Sequence, residues 1–133
     1  MAQLRTKRMK LAEVLVCAGC CCGHVEKGHP EVPVAWLKEE WRKRGLLKSI
    51  QLTIAGCIGP CDLPNVLCIT TGEGSTWIGN VDRNDHYQAL LTWAVQSKTA
   101  GALAPLPREF RDKLFSPFET RDDSWATECW QAR

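Results

Sequence analysis

Four cysteines of the chain fall in two separated pairs, Cys17 with Cys22 and Cys57 with Cys61, at the intervals C-x4-C, 34 residues, C-x3-C. A helix face repeats every three or four residues and a strand face every two, so neither requires cysteine at these positions. Thiolates are soft anionic ligands, and four of them suit an iron–sulfur cluster or zinc. The pattern therefore asks for a fold in which two distant turns converge as a cage for an inorganic centre.

Eight cysteines in 133 residues would also suit a secreted disulfide scaffold. Their distribution argues otherwise, because Cys17, Cys20, Cys21 and Cys22 are bunched and neighbouring cysteines bridge only with strain. Clustering favours thiolate ligation in a reducing compartment. The segment before Cys17 carries Arg5, Lys7, Arg8 and Lys10, but its apolar run is too short for a signal peptide and contains Glu13. No run of about 18 apolar residues exists, so no transmembrane helix is expected. A net charge of +2 is too small to argue for nucleic acid. The second basic cluster, Lys38, Arg42, Lys43, Arg44 and Lys48, reads as a solvated helix face or as a docking patch for an acidic redox partner.

The pattern divides into a basic segment 1–11, a domain 12–100 and an extension 101–133. Residues 13–17 are apolar and β-branched and read as a buried strand that runs into the cysteine-rich segment. Residues 34–45 read as a helix with Val34, Leu37 and Trp41 on one face and Gly45 at its end. Ile50–Ile54 alternates as a strand and delivers the loop that carries Cys57 and Cys61. Residues 66–70 and 75–81 read as a hairpin around Gly72 and Gly74. Asp82 is a suitable cap for a helix over 83–97. Gly101, Pro105 and Pro107 mark a linker, and a short helix is expected over 107–115. The order implies an α/β fold: a mixed four-stranded sheet with two main helices and a C-terminal extension.

The stretch V-C-A-G-C-C-C-G, together with the later G-C-I-G-P-C-D, resembles the thioredoxin-like [2Fe–2S] ferredoxins, and the spacing is similar to that of the small cluster-binding subunit of NADH dehydrogenase. The resemblance covers residues 12–98. It implies a thioredoxin-like fold and a one-electron carrier rather than an enzyme, cytoplasmic and homodimeric. By position it places one iron of a [2Fe–2S] cluster on Cys17 and Cys22 and the other on Cys57 and Cys61. Cys21 and Cys20 stand as alternates for the second ligand. C-C-G-H-V-E-K-G-H-P-E-V-P-V-A-W-L-K further resembles small ferredoxins associated with bacterial cobalamin biosynthesis, which implies a partner enzyme of that process. No nucleic-acid or membrane partner is implied.

Two other readings use the same residues. Cys17, Cys20, Cys57 and Cys61 could hold zinc, or cobalt in a metallochaperone with His24 and His29 as extra donors. Cys17-x2-Cys20 after a strand could be the thiol pair of a thiol–disulfide oxidoreductase, which needs a helix to start at the first cysteine. Cys68 reads as a core residue, Cys129 as incidental, and Trp36, Trp41, Trp77 and Trp93 as packing residues.

Overall fold

Ala12, Val14 and Val16 are fully buried while Glu13 and Leu15 are half-buried, the alternation of a strand with one face on the core. In the computed structural model, which describes residues 3–19, 21–60 and 62–119, this strand is β1 (Ala12–Cys17). It is followed by α1 (Val34–Lys43), β2 (Ile50–Ala55), β3 (Leu67–Thr71), β4 (Gly74–Ile78), α2 (Asn84–Ala100) and β5 (Leu114–Phe115). The sheet order is β2-β1-β3-β4-β5. β1 and β2 pair in parallel, as a strand–helix–strand crossover allows, and the remaining pairs are antiparallel. The protein is thus α/β with a mixed sheet and two main helices, the architecture that its element order implies.

Both helices pack on one face of the sheet. Leu37 and Trp41 of α1 and Tyr87, Leu90, Leu91, Trp93 and Ala94 of α2 join Val14, Val16, Ile50, Leu67, Ile69 and Ile78 in one core. Trp41 is anchored as well as buried, because its Nε1 donates to the Ile50 carbonyl at 2.9 Å. Trp93 Nε1 likewise donates to the Ala104 carbonyl at 2.9 Å and ties the start of the extension to α2. Cys68 is buried as expected, but on the other face, opposite Leu15 and Trp77 in the strand register.

The extension departs from expectation. Residues 107–115 do not form one helix. Arg108–Lys113 is a 3-10 helix with Phe110 fully buried, and Leu114 and Phe115 then pair with Ile78 and Trp77 as a fifth strand. Without it β4 would leave its backbone unpaired at a sheet edge, and two residues suffice to cover the end of that edge. The tail tryptophans Trp125 and Trp130, and Cys129, lie outside the described residues.

The start of α2 also differs. Arg83 rather than Asp82 is the residue before the helix, and its N–H donates to His86 Nδ1 at 3.2 Å. The Asp82 carboxylate lies 3.6 Å from the same nitrogen. A ring nitrogen that accepts an N–H must be unprotonated. Burial, reinforced by the charge of Lys113, holds His86 below the ordinary value of 6.5. The folded chain therefore takes up this proton less readily than the unfolded chain. The associated stability is complete above the ordinary value and is lost as pH falls through the folded one. The urea midpoint is expected to drop between about pH 7 and about pH 5, and to drop less in His86→Gln. Equal drops in both proteins would remove His86 from this role.

Candidate metal centre

The parallel register sets the site. Cys17, the last residue of β1, lies opposite Ala55, the last residue of β2. Adjacent strands are about 4.8 Å apart, so the two cysteine-bearing loops leave the sheet side by side at one edge. The Cys17 N–H donates to the Val66 carbonyl at 3.0 Å and the Ala18 N–H to the Ala55 carbonyl at 2.9 Å, which holds the first loop between β2 and β3.

The first loop then reverses sharply. Gly19 has φ +112, a conformation open to glycine, and its N–H donates to the Cys22 carbonyl at 3.0 Å. This closure folds Cys22 back against Cys17. Both residues are buried, and their thiols interact. Burial first, then the neighbouring Cys17 thiol and the charge of Cys21, push the Cys22 thiol up to about 12. Gly23 follows with φ +73, packed so closely on Val32 that a Cβ would come within 3.0 Å of its Cγ2.

The structure places the remaining expected site residues unevenly. Cys21 is half-buried, and its carbonyl accepts the His24 N–H at 3.2 Å and a hydrogen bond from His29 Nδ1. His29 is thereby committed to the loop backbone. His24 faces Glu26, its Nε2 3.8 Å from the carboxylate. Cys57 lies two residues beyond β2 and is exposed. Cys20 and Cys61 lie outside the described residues. Among the described residues no three His, Cys, Asp or Glu side chains converge as a metal cage. What the structure brings together is the Cys17–Cys22 pair, with Cys57 on the neighbouring loop.

The donor set fits a thiophilic metal centre. Two adjacent buried thiols gain little as thiolates on their own, since each charge opposes the other and both lack water. A thiophilic cation would reverse that balance, with Cys17 and Cys22 holding it as thiolates. The setting does not fit a thioredoxin-type reactive cysteine. Cys17 is followed by a loop, and the first α-helix begins only at Val34, so no α-helix N-terminus directly follows its sulfur.

Sequence reading missed Asn65. It is fully buried, and its side chain reaches the cysteine loop, the loop at Pro30, Val81 and Tyr87. A single amide between Pro64 and Val66 has no periodic signature, so only the folded chain reveals the hub.

No protein-family model matches the chain, and no curated protein does. Among solved structures, the chain is similar to the wild-type thioredoxin-like [2Fe-2S] ferredoxin from Aquifex aeolicus, at 19% identity and a TM-score of 0.42, covering 81% of this chain and 99% of that one. No helix among the described residues is long and apolar enough to cross a membrane.

Proposed function

We propose that the chain is a one-electron carrier that holds a [2Fe–2S] cluster through Cys17, Cys22, Cys57 and Cys61. The observation that carries this reading is the parallel pairing of β1 and β2, which sends both cysteine loops out of the sheet at the same edge. When bound, such a cluster supplies reversible one-electron chemistry. The chain's own contribution is position. Cys17 and Cys22 would hold such a group from buried positions, and Cys57 from an exposed one. That arrangement shields two ligands from water and leaves a short path to a docked protein. No substrate is turned over in this reading, because the protein tunes and presents the redox group.

The proposal extends to a redox partner protein. The resemblance of residues 21–38 suggests a cytoplasmic enzyme of bacterial cobalamin synthesis, served by a homodimeric carrier. Repeated recovery of an unrelated reductase in pull-downs from the native host would count against that partner.

Protein purified without air is expected to be red-brown, with about two irons and two acid-labile sulfides per chain and a paramagnetic signal on reduction. A colourless protein with one zinc per chain would replace the carrier reading with a structural or metal-delivery role on the same sulfurs. A colourless, metal-free protein with a reducible disulfide would favour thiol–disulfide exchange.

A further inference from the structure

We propose that Asn65 is a positioning residue of the metal centre. It fixes the Cys22–Gly23 turn and withholds the Gly23 N–H from the Cys22 sulfur. This inference rests on the carrier reading for its redox part and on the fold alone for its packing part.

Asn65 Oδ1 accepts the N–H of Gly23, the residue directly after Cys22, at 2.6 Å. Its Nδ2 donates to the Pro30 carbonyl at 3.0 Å and to the Val81 carbonyl at 3.2 Å, with the Tyr87 hydroxyl at 3.4 Å. The orientation of the carboxamide is fixed by its neighbours, since only an oxygen can face an N–H and only an NH2 can face two carbonyls. The main chain of Asn65 takes part as well, its carbonyl accepting the Val81 N–H at 2.9 Å. One fully buried side chain therefore ties the first cysteine loop to the segment before β3 and to the approach to α2. Burial raises the pKa of Tyr87, so its hydroxyl remains a neutral member of the network.

The redox consequence follows from where the Gly23 N–H points. Main-chain N–H groups that donate to cluster sulfurs stabilise the more electron-rich reduced state and raise the potential. An N–H engaged by Asn65 is unavailable to the adjacent sulfur. Removing the amide frees that donor and loosens Cys22 at the same time. An aspartate keeps the acceptor for Gly23 and, when protonated, also donates to a carbonyl.

The test uses the full chain as Asn65→Leu and Asn65→Asp. In iron-loaded protein, Asn65→Leu is expected to shift the reduction potential to more positive values, and Asn65→Asp is not. In protein stripped of metal, iodoacetamide is expected to alkylate Cys22 about tenfold faster in Asn65→Leu, with Cys68 unchanged and Asn65→Asp close to the parent. An unchanged potential in Asn65→Leu, or a positive shift in both variants, overturns the redox part. Unchanged alkylation of Cys22, or acceleration at Cys22 and Cys68 together in both variants, overturns the positioning part. Should Asn65→Leu fail to fold, loss of Cys22 protection in Asn65→Asp is the overturning result. A parent chain that takes up no iron would defeat the carrier reading, while the alkylation rates would still decide the packing role.

Discussion

Cys22→Ser is expected to bleach protein purified without air and to strip its iron, whereas Cys68→Ser keeps both. Losing only an outer partner of a metal ligand costs about 10–100-fold in affinity, and losing the ligand itself costs more. Cys22 is the residue at stake because the loop folds it, buried, against Cys17, whereas Cys21 is half-buried and its carbonyl is tied to His24 and His29. Cys68 lies on the far face of the sheet, its sulfur 3.8 Å from Thr70 Oγ1. Iron analysis and the visible spectrum check both substitutions. Colour retained in Cys22→Ser and lost in Cys21→Ser would move the ligand to Cys21.

Trp41→Ala is expected to destabilise the fold by about 3–5 kcal/mol, read as a lower urea midpoint. The indole is 1% exposed and fills the space between α1 and the start of β2. Its removal leaves a large cavity and an Ile50 carbonyl without its donor, and relaxation fills only part of such a void. Domains of this size have only about 5–15 kcal/mol in hand, so the loss is a large share of the total. Trp41→Phe keeps most of the apolar volume and is expected to cost about 1–3 kcal/mol, chiefly through the unmet carbonyl. A loss below about 1 kcal/mol in Trp41→Ala would mean that α1 does not anchor the crossover.

The elements flanking the cysteine loops were legible because each carries a period. Val14 and Val16 alternate in β1, Leu37 and Trp41 recur four residues apart in α1, and Gly72 and Gly74 punctuate the β3–β4 hairpin. The parallel neighbours β1 and β2 followed from the intervening helix, and with them the shared edge of the two loops. Leu114–Phe115 was not legible, since two residues are too few for any period and pairing supplies their extended form. The cap at Arg83 escaped because the partner of its N–H is a histidine ring, outside the usual Ser, Thr, Asp or Asn signal. Within the candidate site, sequence offers candidate sulfurs but does not distinguish buried Cys17 and Cys22 from exposed Cys57. That difference depends on how tightly Gly19 turns the first loop and on Asn65, whose contacts span up to 42 residues of chain.

The crossover that sets the two cysteine-bearing loops side by side also orders the chain at the other end of β1. Leu11 donates to the Ser49 carbonyl and Lys98 to the Arg44 carbonyl, so the arm at residues 5–10 and the stretch 42–48 meet where β1 begins. Cys17 is at the opposite end of that strand, about 17 Å away. The segments that carry the basic residues and the buried Cys17–Cys22 pair therefore lie at opposite ends of β1. Lys10 is paired there with Glu13, Arg42 with Glu39, and Lys43 and Arg44 with Glu40. Much of the positive charge at that end is thus met within the chain, and contact at the cysteine end depends on short-range fit.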